Sequence, residues 1–392
     1  MKGLTLDTAN KLILKKHHLS EDSKINDILQ ITDDLCGLHA TGTIEPYLTL
    51  FTRTNSFIRE DLDSALYKEK SLGRIRGMRK TLFIETKEMI PIVHKAIKFS
   101  TDQRDQQYLE AREISVDEYN TLSKQILGLL KEREMSTTEI KKTISSQKDI
   151  IAVISVMCDQ MLLIRGKPIR SWKDRRIFYA PFEAYFPNIN LNKHNQEEAI
   201  HLLIQKYITS YSPVTLKDIT WWLGINNSQV NTALIQLEDQ IQLIKIDNLD
   251  LDYIISREDL NKLIMDNSIK KKTINLLPRL DPYLMGYKDR DRYVNPNDFE
   301  FVYDRSGNAT STILLNGRVI GIWDVVEKPV PLLKLYLFKK IEEPIMKKII
   351  LEGNRIGKFI TGQDIDIKKC KKMTPLTKRT MGGFMSPLKD CN

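Results

Sequence analysis

A helix-turn-helix pattern that occurs twice, about 80 residues apart, constrains this chain more than any other feature. In the first copy Ser136, Ile140 and Ile144 open a helix, and Asp159-Gln160-Met161-Leu162-Leu163-Ile164-Arg165 ends the next one and runs into a strand-like wing. Thr215, Ile219 and Leu223 repeat the first three, and Asp239-Gln240-Ile241-Gln242-Leu243-Ile244-Lys245 repeats the seven. Recurrence at a fixed distance signals one structural unit used more than once. Two helices joined by a tight turn, with the second presented outward, are a common way to lay a side-chain array in a DNA groove. The pattern predicts tandem winged helices.

A third, diverged unit is expected at the start. Leu6, Ala9, Leu12 and Ile13 recur at helical spacing, as do Ile28, Ile31, Leu35 and Leu38, and Ile44–Phe51 and Leu62–Tyr67 continue the helical reading. The segment from Ser71 to Ile84 then alternates, is punctuated by Gly73 and Gly77, and suits a hairpin carrying Arg74, Arg76, Arg79 and Lys80. Thr101–Glu113 is charged and Gln-rich, the composition of a linker or a solvated helix face. After Ser268–Lys272 short apolar runs separated by Asn-Asp, Ser-Gly-Asn and Asn-Gly turns predict a small antiparallel barrel, followed by a helix over Glu342–Asn354 and a basic tail. The expected class is α+β: three winged-helix modules over residues 1–101, 102–190 and 191–267, then the barrel and tail over 268–392.

Charge agrees with a phosphate-bearing partner. There are 60 Lys plus Arg against 51 Asp plus Glu, a net charge of +9. No apolar run approaches the roughly 18 residues of a membrane helix, and Met1–Asp7 lacks the apolar core of a signal peptide. Cys36, Cys158, Cys370 and Cys391 are scattered, without a CxxC pair or a zinc spacing, as expected of a reducing, cytoplasmic setting and no structural metal. A monomer without cofactor, bound to double-stranded DNA and to no membrane, is the expectation.

On the middle wing Arg165, Lys167, Arg170, Lys173, Arg175 and Arg176 surround a single acid, Asp174, with Trp172, Phe178 and Tyr179 between them. Phosphate neutralisation and stacking are thus available on one hairpin, so these cations and Trp172 join Arg74, Arg76, Arg79 and Lys80 as expected DNA contacts. Nothing in the sequence matches HExxH, GxSxG, a Walker loop or a dinucleotide GxGxxG, so metal-assisted hydrolysis, phosphoryl transfer and hydride transfer have no support. The adjacent His17 and His18 point to different faces of a helix and share no ligand. His39 stands apart, at the expected end of a helix in Cys36-Gly37-Leu38-His39-Ala40-Thr41-Gly42-Thr43. An imidazole beside the Thr41 hydroxyl can orient a water; the alternative is a helix-end cap with local turn hydrogen bonds.

Leu35–Thr41, Met78–Phe83, Leu276–Arg290, Asn316–Trp323 and the tail Met373–Leu388 together resemble the winged-helix DNA-binding family of AlkZ- and YcaQ-like DNA glycosylases, in order over nearly the whole chain. The resemblance implies three winged helices and a barrel arranged to embrace a duplex. It also implies that His39 and Thr41 occupy the catalytic positions, where the glycosylases carry Gln-x-Gln or Gln-x-Asp to position water and stabilise the sugar cation. Phe83 stands where those proteins usually show histidine, and Asp281 and Arg290 are implied to line the active site. The chain is then a His-x-Thr branch, with two functions open to it: excision of alkylated bases or unhooking of crosslinks, or DNA binding without catalysis.

Overall fold

The computed structural model describes residues 4–265, 272–379, 383–389 and 391. The expected boundary at 268–271 and Thr380–Gly382 of the tail lie outside them.

The two sequence copies become two units with one order of elements. The middle unit runs α6 (Val116–Leu130), β4 (Met135–Ser136), α7 (Thr137–Thr143), α8 (Ile150–Asp159), β5 (Leu163–Pro168) and β6 (Ile177–Pro181), with sheet order β4-β6-β5. A short α9 (Phe182–Tyr185) follows. The next unit has α10 (Gln196–Tyr211), α11 (Leu216–Leu223), α12 (Asn227–Gln236) and the hairpin β7 (Ile241–Ile246) with β8 (Leu249–Ser256), and Val214 bridges Ile254 where the first strand would lie. The matched positions have the same jobs. Ser136 and Thr215 are N-caps in capping boxes with Glu139 and Asp218, a device that stabilises a helix start by about 1 kcal/mol, and Ile140 and Ile219 are wholly buried one turn later.

The N-terminal unit follows the same order: α1 (Leu6–Lys16), α2 (Ile28–Asp34), β1 (Leu38–His39), α3 (Glu45–Phe51), α4 (Arg59–Asp63) continuing as a π-helical turn over Ser64–Lys68, then β2 (Leu72–Arg76) and β3 (Leu82–Thr86), in sheet order β1-β3-β2. The Gln-rich stretch is the second half of α5 (Met89–Glu110), which runs without a break through Thr101. Helix α1 is fixed by distant chain: Asn10 Nδ2 donates to Arg292 O at 3.0 Å, and His17 Nε2 meets Ser210 O at 3.2 Å. His18 lies against Asp34 at 2.8 Å, so the adjacent histidines do part company.

The last third departs from expectation. After α13 (Arg257–Met265) come β9 (Ile274–Leu277), α14 (Pro282–Met285), α15 (Phe299–Val302), β10 (Thr312–Leu315), β11 (Arg318–Val326), β12 (Leu332–Leu337), α16 (Glu343–Thr361) and β13 (Asp366–Lys369). The sheet order is β13-β12-β11-β10-β9, and its end strands do not meet: the predicted barrel is an open sheet. The reason is the route to the last strand. Helix α16 crosses over and returns β13 parallel to β12, and its Ile349, Ile356 and Ile360 share one buried cluster with Leu333 and Leu335 of the sheet and Ile31, Leu48 and Leu50 of the N-terminal unit. Packed layers cover the apolar face, so closure is not needed. The Asn316-Gly317 turn between β10 and β11 is as read, with both residues at positive φ.

The cysteine expectation also needs correction. Cys370 and Cys391 form a disulfide, while Cys36 and Cys158 are free and buried. Lys334 Nζ donates to Leu388 O and Cys391 O, which folds the tail back beside the residue that follows β13. Among the described residues no helix is long and apolar enough to cross a membrane.

Candidate active site

His39 does not end a helix. Cys36 and Gly37 adopt left-handed backbone (φ 54° and 92°), and Gly37 N–H turns back to Thr32 O at 2.9 Å, so α2 stops and the chain re-emerges as β1. Glycine is required at 37, because a side chain there would strike the Glu85 carboxyl. His39 then pairs with Phe83 across the sheet, ring centres 5.1 Å apart. Its ring is 5 % exposed, its Nδ1 has no partner, and burial, helped by the Arg79 charge, brings its pKa down to about 3. The imidazole is neutral throughout the physiological range. Thr41 lies past the last rung, which is Ala40 N–H to Leu82 O at 2.7 Å, and is exposed.

Arg79, whose charge acts on His39, belongs to a cluster of cations around Trp221. Arg79, at φ 52° in the turn between β2 and β3, holds its guanidinium 4.0 Å from the centre of the Trp221 ring on α11. Arg290 lies 5.6 Å from the same ring and 3.7 Å from that of Tyr303, and Lys288 lies 5.9 Å from Trp221. Trp221 escaped the sequence reading. The signal was present in Trp221-Trp222: neighbours on one helix cannot both face the core, and Trp222 is the buried one.

Several expected contacts are used inside the molecule instead. Asp281 does not line a cleft; it is wholly buried, takes both guanidinium nitrogens of Arg53 at 2.7 and 2.9 Å, and caps α14 through Tyr283 N–H. Arg76 and Arg165 are not free for DNA, since Asp159 holds them at 2.8 and 3.3 Å between the first two units. A charge buried without a partner would cost several kcal/mol, which is why the fold supplies these acids. Arg74 is half-buried and donates to Ala40 O. Trp172 and Lys173 leave the wing surface: Trp172 packs against Tyr47 at 5.0 Å and Phe359 at 5.7 Å, and Lys173 reaches Glu327 and, at 2.9 Å, Ile360 O. Arg176 is exposed but pairs with Asp174 at 2.8 Å. Lys80 is half-buried, and Lys167, Arg170 and Arg175 are exposed. Among the described residues, no three His, Cys, Asp or Glu side chains are grouped to hold a metal.

The family model described as DNA glycosylase AlkZ-like matches residues 32–359. Among curated proteins, an interstrand DNA cross-link repair glycosylase of Streptomyces sahachiroi is 24% identical over 134 residues, which are 34% of this chain and 36% of the relative. The match therefore spans about a third of that protein's length. Among solved structures, the Streptomyces sahachiroi DNA glycosylase AlkZ superposes with a TM-score of 0.76 at 17% identity, covering 94% of this chain and all of the other. At that identity the likeness is one of fold.

Proposed function

This chain belongs to the AlkZ-like DNA glycosylase family, and from that premise we propose that it is a DNA-repair glycosylase that removes alkylated bases or unhooks crosslinks from duplex DNA. The three repeated units, each a helix pair backed by a small sheet, act as winged helices on the duplex, and the open sheet braces the first unit from behind. In the reaction water adds to C1′ of the deoxyribose, the C1′–N bond breaks with its electrons going to the base, and the water proton passes to solvent. An alkylated purine leaves well because it departs from a cationic state, so the site needs to position water more than it needs to supply charge.

The observation that carries this reading is the state of His39: buried, neutral, and with a ring nitrogen that nothing in the protein uses. A neutral imidazole offers a hydrogen bond without a charge, as the amide of glutamine does at the position His39 resembles. Thr41 adds a hydroxyl at the rim. The test is incubation with a duplex carrying N7- or N3-alkylated purines, followed by alkaline cleavage at abasic sites. Strand breaks at alkylated positions are expected. A second reading, a binding protein without catalysis, is favoured by one observation: the charge acting on His39 is Arg79, not a carboxylate. If wild type releases no base and the His39→Gln, Thr41→Asp double variant releases none either, that second reading takes over.

A further inference from the structure

The cations around Trp221, of which Arg79 also acts on His39, are arranged as if a partner were missing. Arginine at positive φ is uncommon, and such residues persist where the surroundings hold them for a purpose. Arg79 is held there with its Nε buried and without an acceptor, and its Nη2 reaches only Met285 O at 3.4 Å. Arg290 is 7 % exposed and bonds only to backbone, Tyr287 O at 3.3 Å and Gly307 O at 3.0 Å. Among the described residues no carboxylate pairs with either. Elsewhere Arg53 has Asp281 and Arg76 has Asp159, while Arg292, also buried, donates to Pro213 O but lies 3.9 Å from the ring of Tyr287 with no like charge set against it as Arg290 is set against Arg79. Here like charges face each other: Arg79 is brought down to about 10 by burial and then by Arg290, and Arg79 in turn depresses His39.

We propose that Arg79 and Arg290, walled by Trp221, form a phosphate site that takes the DNA phosphodiester next to the nucleotide presented to His39. This rests on the reading of the chain as a DNA glycosylase and adds how the sugar is placed. Planar guanidiniums bind phosphate oxygens in pairs, and a phosphate shared by two of them would relieve their repulsion and give Arg79 its missing acceptor. Fixing the phosphate fixes the sugar attached to it, the positioning on which the hydrolytic step depends.

The test uses a duplex with a tetrahydrofuran abasic analogue, so that binding is read without chemistry. Affinity is measured over a salt series for wild type, Arg79→Gln, Arg79→Lys and Arg290→Gln, and again with a neutral methylphosphonate at either phosphate flanking the analogue. Each glutamine variant should bind about tenfold more weakly with a salt slope lower by about one, while Arg79→Lys keeps the slope. On the duplex lacking the right phosphate, Arg79→Gln should cost less than about twofold further, because its partner is already gone. Its melting temperature should stay at or above wild type, and Arg290→Gln, on another element, reads the site independently should Arg79→Gln lose its fold. Losses that add at both flanks, or unchanged affinity in both glutamine variants, would overturn the proposal. So would displacement of the duplex by inorganic phosphate at matched ionic strength to an extent that sulfate does not reach, which would make this a site for the free ion. Base excision from alkylated duplex is scored separately: a chain with these binding signatures that excises nothing keeps the phosphate site and loses the glycosylase reading.

Discussion

At His39 a pKa of about 3 has kinetic consequences. A histidine acting as a general base near its ordinary value would make excision fall away below about pH 6.5. A neutral positioner gives a flat single-turnover rate between about pH 5.5 and 8, and a rate that follows a single ionisation near 6.5 would show that His39 is exposed to proton exchange in the complex. His39→Ala should lower single-turnover excision about 10²-fold with duplex affinity near wild type, and Thr41→Val should lower it less, since a hydroxyl brings one hydrogen bond and no charge. Glu85 makes a separate prediction about stability. Burial, and then Asp33, raises its pKa to about 8, and neither of its oxygens has a partner. The folded chain keeps this proton up to about pH 8 while the unfolded chain releases it near 4.5, so the fold binds more protons in that window and stability falls as pH rises through it. His39 and His94, held down to about 3 and 4, act oppositely: their neutral forms favour the fold above about 6.5, and that contribution is lost as pH falls through the folded values. Glu85→Gln should therefore lose about 2 kcal/mol less than wild type between pH 6 and 9 in denaturant titrations. Equal losses would mean that Glu85 is solvated in the folded chain.

Among the elements, the hairpin of β5 and β6 shows what a sequence can and cannot say. Its cations were legible as a basic wing, but their division of labour was not, because a partner can lie far along the chain: Lys173 meets Glu327 across 154 residues, as Arg76 at the end of β2 meets Asp159 across 83. The same distance hid the Arg53–Asp281 pair, 228 residues apart. Ser136 and Thr215 were legible because capping is local. His39 was placed on a helix because the apolar spacing of Ile28, Ile31 and Leu35 continues to Leu38; the break at Cys36 depends on a left-handed non-glycine residue that spacing does not report. The barrel failed for a topological reason, since short alternating strands look alike whether or not their ends meet. The exposed flank that remains, Lys167, Arg170 and Arg175, should carry the wing's binding: replacing all three by alanine should weaken duplex affinity about tenfold and leave the melting temperature unchanged. Trp172→Ala should instead destabilise by about 2 kcal/mol or more, as it empties the seat between Tyr47 and Phe359. Full affinity in the triple variant would move the DNA surface to another unit.

For the whole molecule, a net charge of +9 without a single concentrated recognition element predicts binding with little sequence preference and a steep response to salt. With about 4 to 6 phosphates neutralised, log affinity against log salt should have a slope near −4 to −5, measured by fluorescence anisotropy on unrelated duplexes. A slope near zero would remove the duplex clamp from the proposed function. The middle unit keeps a core of its own, from Leu109 to Leu163, whereas the first unit shares its core with the final sheet and α16, and α1 is tied to Ser210 and Arg292. That has a meaning in time. A chain emerging from the ribosome at about 5 to 20 residues per second makes α1 first and waits about 15 to 60 s for the residue that receives Asn10, 282 positions later. The middle unit can close while the rest is still being made, and the earliest segment, which bears His39, is among the last to settle. Nascent chains arrested before β9 should thus be cut by protease within the first 60 or so residues and spared across the middle unit, so that an interrupted synthesis yields a protein with the basic hairpin and without the candidate site around His39.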